Sequence, residues 1–157
     1  MVDAEIRIRP ATQEDVSELV RLRRMMFEAM GCQDIAALDR ADAAVGPFLE
    51  AAMRAGTFHG WLATTPAGEA VGSGGVMIDQ HPPSPGNASG RIGYILNVVT
   101  IPRYQRQGIA RRMMETMLAW LAEQGIELAH LHASEAGRPL YRKLGFVDSN
   151  EMRLRIE

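Results

Sequence analysis

Apolar residues recur at intervals of three and four in two long stretches of the chain, the spacing of one face of an α-helix. The first follows Thr12 and Asp15, whose separation is typical of a capping box at a helix start. Proline and glycine mark two further helices, because proline suits a first turn and glycine often follows a last one. The predicted helices are residues 16–30 ended by Gly31, a segment from near Pro47 to Gly56, residues 110–121 ended by Gly125, and residues 138–144 stopped by Gly145.

Between these helices, alternating or continuous apolar runs bounded by turn residues predict β-strands. Thr65-Pro66-Ala67-Gly68 is a hairpin signal between two of them, and residues 79–90 read as a surface loop. The strand, helix and strand around 91–133 imply a parallel crossover within a mixed sheet. The predicted strands are 6–9, 58–63, 70–78, 91–101 and 128–133, with 146–147 and 152–156 as closing strands.

Composition narrows the class of protein. The chain has 157 residues, of which 46% are hydrophobic, and this length fits a single domain with its own core. A net charge of −2 argues against bulk binding to nucleic acid. The chain has a single cysteine, Cys32, which excludes an intramolecular disulfide and a cysteine-rich metal site.

The sequence shows no signal for a membrane. No apolar run approaches the roughly 20 residues of a membrane span, and the acidic start Met1–Glu5 is unlike a signal peptide. We therefore expect a soluble cytoplasmic protein without a metal.

The turn Gln105–Ala110 carries the strongest chemical signal, with the pattern Q-x-x-G-x-A between a strand that stops at Pro102 and an amphipathic helix. Such a turn directs backbone N–H groups to one place at the positive end of a helix dipole. Gly108 allows a ligand to approach the backbone closely. Arginines suited to phosphate crowd the same place: Arg103, Arg106, Arg111 and Arg112. The pattern indicates a pyrophosphate site, although a plain turn with solvated arginines would look the same.

A second motif, Leu140-Tyr141-Arg142-Lys143-Leu144-Gly145-Phe146, follows about thirty residues later. With both motifs in place, the chain resembles the GNAT superfamily of acetyl-CoA-dependent N-acetyltransferases. The resemblance covers the whole element order, so it implies one N-acetyltransferase domain over residues 1–157. The implied fold is α/β, with a mixed central sheet of about six or seven strands, about four flanking helices and a splayed notch between the two central parallel strands.

The resemblance also implies roles for particular residues. A β-bulge at Asn97 or Val98 would open the notch, and Tyr141 would protonate the departing thiolate. Ser134 would lie near the thioester, or it could be a simple helix N-cap. The residues expected to bind acetyl-CoA are Val98, Val99, Thr100, Arg103, Arg106, Gln107, Gly108, Ile109, Ala110, Arg111 and Ser134.

The general base is less defined. His130 and His132 lie two apart on one predicted strand and therefore share a face of the sheet. Imidazole titrates in the useful range, which makes His132 our candidate base. Both histidines could instead only pack or hydrogen-bond, with a water chain or the amine's own ionisation setting the rate. His59 and His81 could also line a cleft.

The expected reaction is acetyl transfer from acetyl-CoA to a primary amine of a small molecule or peptide, by direct attack in a ternary complex. One alternative is a non-catalytic acyl-CoA sensor, and a plugged acceptor cleft would favour it. Another is a toxin that acetylates charged tRNA, which the near-neutral charge disfavours. Arg21, Arg23 and Arg24 read as the solvated side of the first helix. Methionine-rich helices also suggest a homodimer.

Overall fold

The computed structural model describes residues 5–157, and residues 1–4 of the acidic start lie outside the described part. Its strands are β1 Arg7–Pro10, β2 Phe58–Thr64, β3 Ala70–Gln80, β4 Arg91–Thr100 and β5 Ala129–Leu131. Its helices are α1 Val16–Ala29, α2 Ile35–Ala55, α3 Ile109–Glu123 and α4 Arg138–Lys143, with short 3₁₀ turns at Gln13–Asp15 and Pro102–Tyr104. None of the helices in this part of the chain is long and apolar enough to cross a lipid bilayer.

The strands form one mixed sheet in the order β1-β2-β3-β4-β5. Neighbouring strands are antiparallel except β4 and β5, which run parallel and are joined by the crossover helix α3. On one face, α3 buries Met113, Met114 and Met117 against the sheet. On the other, α1 and α2 bury Leu22 and Leu49. The predicted mixed α/β fold is therefore confirmed, and the α3 methionines are core residues.

Helix α2 begins twelve residues earlier than the sequence predicted, at Ile35 rather than near Pro47. Asp34 caps it, because the Asp34 carboxylate accepts a hydrogen bond from the Ala37 N–H at 3.0 Å. Pro47 lies inside the helix on its exposed side. Proline removes one helical hydrogen bond, but the carbonyl thus freed can bind water on an exposed face. The predicted end at Gly56 is confirmed, with Gly56 as the C-cap.

The predicted closing strands at 146–147 and 152–156 are wrong, since residues 146–157 contain no regular secondary structure. Strand β5 is also shorter than predicted, ending at Leu131. The described sheet has five strands rather than six or seven. Alternating apolar residues form a strand only where a neighbouring strand satisfies their backbone groups. Among residues 5–157 the C-terminal segment pairs with no strand. Four of its apolar side chains are 80–98% exposed: Val147, Met152, Leu154 and Ile156.

Candidate active site

A β-bulge interrupts β4 at the centre of the sheet. Ser73 of β3 faces Val99, while Gly75 faces Leu96, so β4 carries one extra residue between these two pairs. Asn97, within the bulge, has a positive φ of 58°. The predicted bulge at Asn97 or Val98 is confirmed.

Beyond the bulge, β4 separates from its parallel neighbour. The two strands pair only over Gly93–Ile95, and the second half of β4 has no partner on that side within residues 5–157. Ile101 donates its N–H to Val71 of β3 at 2.9 Å, and strand alternation turns Val99 the same way. The peptide groups of Val98 and Thr100 therefore point into the notch between β4 and β5.

The loop after β4 presents a row of free backbone donors. Within residues 5–157, no backbone or side-chain group accepts a hydrogen bond from the N–H groups of Arg106 to Arg111. The first bond of α3 runs from the Arg112 N–H to the Gly108 carbonyl at 3.0 Å. The donors thus include the free first turn of a helix, where the dipole favours an anion.

Two side chains and one glycine shape this loop. Gln105 donates to the Thr100 carbonyl at 2.9 Å and ties the loop to the end of β4. Gln107 donates to the Arg103 carbonyl at 3.3 Å, and its buried Oε1 has no partner in the described residues. Gly108 has φ +82°, and a Cβ placed there would meet no protein atom within 4 Å. The space beside the Gly108 backbone is therefore open to a ligand.

The arginines near the loop are less concentrated on it than the sequence suggested. Arg103 Nη2 donates to both carboxylate oxygens of Glu69 at 3.0 Å, on the side of the β2–β3 hairpin. Arg111 pairs with Glu115 one turn along α3 at 2.9 Å. Arg106 is exposed with a φ of 62°, a conformation that L residues adopt only where the loop requires it. Arg103 and Arg111 are therefore engaged within the protein, and the free donors of the loop are mainly its backbone N–H groups.

Tyr141 of α4 packs on the α3 side of the sheet, with its ring edge-on to Phe146. Its hydroxyl has no hydrogen-bond partner within residues 5–157. Burial raises the pKa of the Tyr141 phenol above its ordinary value of 10.0. The phenol is therefore protonated at neutral pH and available as a proton donor.

Ser134 lies between β5 and α4, and its Oγ accepts a hydrogen bond from the Gly137 N–H at 3.1 Å. This contact closes the turn that leads into α4, whose own N-cap is Gly137, without a side-chain cap hydrogen bond. The hydroxyl proton remains available to a second acceptor. Ser134 therefore stabilises the turn before α4, and one donor is left for a ligand.

His130 and His132 lie on the other face of the sheet from Tyr141, whereas His59 stacks on Trp120 of α3, 4.3 Å between ring centres. His130 faces Tyr94 across the β4–β5 pair, and the exposed His132 ring stacks edge-on to Tyr94 at 5.7 Å. Arg153 from the C-terminal segment approaches His132 Nδ1 at 3.0 Å. Because a guanidinium can only donate, this contact occupies the lone pair that a base would use.

The sequence placed Arg23 on a solvated helix face, and the structure corrects this. Arg23 is half-buried, and its Nε donates to Asn97 Oδ1 at 3.3 Å, directly at the bulge. Its guanidinium also lies 4.7 Å from the ring centre of Phe27. Arg23 and Asn97 line a cavity of about 390 Å³ between α1, α2 and β4. The helical period could not reveal this position, because residue 23 borders both faces of α1.

The neighbouring arginines of α1 bind within the protein. Arg21 donates to the Ala70 carbonyl at 3.0 Å. Arg24 contacts Asp39 at 2.7 Å and Asp42 at 2.8 Å, and so links α1 to α2. Arg21 and Arg24 therefore connect α1 to other parts of the protein, and they do not form a freely solvated face.

The sequence matches the model of the acetyltransferase (GNAT) family across residues 21–146. A GCN5-related N-acetyltransferase from Ralstonia eutropha JMP134 is 31% identical, with a TM-score of 0.88, and 96% of this chain and 98% of that chain align. A predicted acetyltransferase from Clostridium acetobutylicum, solved with acetyl-CoA, is 28% identical with a TM-score of 0.86. The alignment covers 97% of this chain and 96% of that chain.

An acetyltransferase from Trypanosoma brucei shares the fold, with a TM-score of 0.72 at 23% identity over 97% of this chain and 100% of that chain. No curated protein matches the sequence. The family match covers most of the chain, and the chain therefore belongs to the GNAT family of acetyltransferases.

Proposed function

We propose that this protein transfers the acetyl group of acetyl-CoA to a primary amine of a small molecule or peptide, in a ternary complex. One observation carries the proposal: the free N–H groups of Arg106 to Arg111 directly follow the strand whose bulge opens a notch at Val98. This continuous surface suits a ligand with an anionic end and an extended amide-bearing arm.

The residues present fit acetyl-CoA. The free N–H groups and the open space at Gly108 would hold the pyrophosphate, and the peptide groups of Val98 and Thr100 would hold the pantetheine arm. Acetyl-CoA supplies an activated acetyl group: an amide bond forms to the acceptor nitrogen, the C–S bond breaks and a thiol is released. Tyr141 would donate the proton that the leaving sulfur needs.

The two proton-transfer candidates lie on opposite faces of the sheet, on either side of the notch. Tyr141 is on the α3 side. His132 is on the side of the cavity lined by Arg23 and Asn97, which we propose holds the acceptor and call the acceptor cavity. His132 is the proposed base, and it becomes competent once Arg153 leaves its Nδ1. The cavity that reaches Asn97 supports an enzyme over an acyl-CoA sensor, because a sensor needs no second pocket at the bulge.

Replacing Gly108 by valine tests the loop. The side chain would fill the space beside the free N–H groups, so acetyl-CoA should bind at least about tenfold more weakly by calorimetry. Gly125→Val is the matched control, since Gly125 also has a positive φ, +71°, at the opposite end of α3. Both variants carry the same kind of backbone strain. Unchanged affinity in folded Gly108→Val, or equal losses in both variants, would contradict the assignment.

Catalysis itself is tested by free-thiol release from acetyl-CoA over a panel of amino acids, peptides, polyamines and aminoglycosides. Acetyl-dependent thiol release with at least one amine is expected. Tight acetyl-CoA binding without turnover on any acceptor would favour the sensor.

Three broader statements belong to the same proposal. We propose that residues 1–157 form one N-acetyltransferase domain and that the protein is a homodimer. The exposed apolar side chains near the C-terminus, including Leu154 and Ile156, support the dimer, because such residues are usually covered in an assembly. The cytoplasmic location stays a prediction from the sequence.

A further inference from the structure

We infer that the acceptor is an apolar α-amino acid, whose carboxylate binds Arg23 while its side chain occupies the cavity between α1 and α2. This inference rests on the proposed acetyl transfer and names the substrate class of the same site. Three features carry it: a guanidinium without an ion pair in the described residues, its position at the bulge and the apolar character of the cavity.

Arg23 forms no ion pair in the described residues, although Asp42, which is bound to Arg24, acts on its charge from a longer distance. Within residues 5–157 no carboxylate oxygen lies within 4.0 Å of its guanidinium, whereas Arg21 and Arg24 on the same helix both form ion pairs. Its contacts are the neutral Asn97 oxygen and the Phe27 ring. A half-buried guanidinium cannot lose its proton at neutral pH, and it is best compensated by a planar carboxylate bound by two N–H groups. The Nη atoms of Arg23 are available for such a contact.

The position of Arg23 fixes where the carboxylate lies relative to the amine. Its Nε hydrogen-bonds the side chain of Asn97, which precedes Val98 in the bulge. The acceptor amine must reach the same bulge, because the notch for the acetyl donor opens there. The amine and the carboxylate are therefore only a few bonds apart, as in an α-amino acid. A peptide N-terminus has no such adjacent carboxylate.

The rest of the cavity is apolar. Its lining includes Ala44, Val45 and Phe48 of α2 together with Leu96 of β4. Phe48 is 52% exposed, so a ligand side chain lying against it would remove apolar surface from water. The volume of about 390 Å³ is ample for an amino acid with a large side chain.

Cationic acceptors suit this cavity poorly. No carboxylate lines the cavity among the described residues, and Asp39 and Asp42 of α2 already bind Arg24. A polyamine or aminoglycoside would instead meet the positive charge of Arg23, and like charges in a partly desolvated site repel. The arrangement thus selects for one amine carried together with one negative charge.

The test compares three acceptors that share a side chain: L-phenylalanine, its methyl ester and phenethylamine. With the wild-type protein, kcat/KM for phenylalanine should exceed that for the ester and the amine by about tenfold or more. In Arg23→Gln this preference should disappear through a higher KM for phenylalanine, while the ester is little affected. Arg40→Gln, at an exposed arginine of α2, is the control and should retain the preference.

Calorimetry with L-phenylalanine and the CoA-saturated protein separates this inference from the proposed function. Acetylation of amines without any carboxylate preference would overturn the inference and leave acetyl transfer standing. Phenylalanine binding that depends on Arg23, without acetylation of any amine, would support the subsite and overturn the proposed function. Equal losses for phenylalanine and its ester in Arg23→Gln would also overturn the inference, because Arg23 would then act without reading the carboxylate.

Discussion

At the scale of single residues, Gly137 determines where the Tyr141 hydroxyl can lie. A Cβ at Gly137 would come within 2.7 Å of Tyr141 Cε2 and 3.0 Å of its hydroxyl oxygen. Since no hydrogen bond within residues 5–157 holds this hydroxyl, packing against Gly137 and Phe146 sets its position. The backbone conformation at Gly137 is ordinary, with φ −84°, so the glycine is needed for space and not for flexibility.

Tyr141→Phe should lower turnover by roughly 10²-fold, because the proposed proton donor to the leaving sulfur is lost. Acetyl-CoA affinity should change little, as the ring remains. Burial raises the Tyr141 pKa, so ionisation of this phenol should reduce the wild-type rate only above about pH 10. Thiol-release rates and calorimetry measure the two effects, and wild-type turnover in Tyr141→Phe would make Tyr141 a packing residue.

Gly137→Ala provides an independent check, because the added methyl group should displace the Tyr141 ring without removing its hydroxyl. We expect lower turnover in the wild-type background and little further loss in Tyr141→Phe. Such non-additivity is the signature of two changes that act through one group. Equal losses in both backgrounds would mean that Gly137 acts independently of Tyr141.

The sequence identified the backbone features of the site better than its side-chain contacts. The bulge at Asn97 was predicted from the family resemblance, and the turn at Gly108 from its residue types together with that resemblance. The partners of Arg103 and Arg23 depend on elements far away in the chain, Glu69 in one case and β4 in the other. A single sequence carries no direct signal for such long-range pairs.

At the scale of elements, the same distinction explains the error at α2. Pro47 was a strong local signal for a helix start, yet the capping aspartate Asp34 and an alanine-rich stretch extend the helix from Ile35. Alanine has the highest helix propensity, and summed over many residues it outweighs one exposed proline. This longer α2 matters for the site, because its Ala44 and Val45 line the same cavity as Arg23 and Asn97.

The junction between β1 and α1 depends on an ion pair with a defined pH response. Asp15 forms two hydrogen bonds with Arg9, at 2.8 and 2.9 Å, and accepts the Thr12 N–H at 2.8 Å. The Arg9 side chain is 40% exposed, and that of Asp15 is 14% exposed. Hydrogen bonding to Arg9 lowers the pKa of Asp15 from 3.8 to about 2. The folded state therefore binds the Asp15 proton less readily than the unfolded state.

Asp15→Asn should reduce the free energy of unfolding by about 1–2 kcal/mol at pH 7, allowing for solvent screening at Arg9. The contribution is fully present above about pH 4, since the unfolded pKa is 3.8, and it is lost as the pH falls towards 2. Urea unfolding at several pH values measures the difference. Glu14→Gln, an exposed neighbour in the same turn, should be nearly neutral throughout. A difference that is independent of pH would mean that the charge of Asp15 is not involved.

At the scale of the whole molecule, the sheet ends at β5, an edge that no further strand covers within residues 5–157. Strand β5 has β4 as its single neighbour in the described sheet. The C-terminal segment approaches β5 only through side chains, with Glu151 3.8 Å from His130 and Arg153 3.0 Å from His132. An exposed edge beside an extended apolar segment is a surface that a second chain readily completes.

The proposed homodimer would bury this segment against a second copy. Removing residues 150–157 deletes three of the most exposed apolar side chains: Met152, Leu154 and Ile156. The shortened protein should be monomeric by light scattering at concentrations where the full chain is dimeric. Leu154→Arg with Ile156→Arg in the full chain is the matched change, since it keeps the length of the segment and removes its apolar character. The truncation and the double arginine change should each weaken the dimer.

The molecular mass measured by light scattering distinguishes the possible results. A full-length protein that stays at 17.3 kDa across the concentration series would contradict the dimer itself. A dimer that survives both the truncation and the double arginine change would place the interface elsewhere on the molecule.

The truncation also changes the surroundings of His132. In the single chain Arg153 donates to His132 Nδ1 at 3.0 Å, so removing residues 150–157 should remove this contact. Dilution yields the single chain, in which Arg153 contacts His132, whereas truncation removes Arg153, so the two should affect the histidine NMR signal of His132 differently.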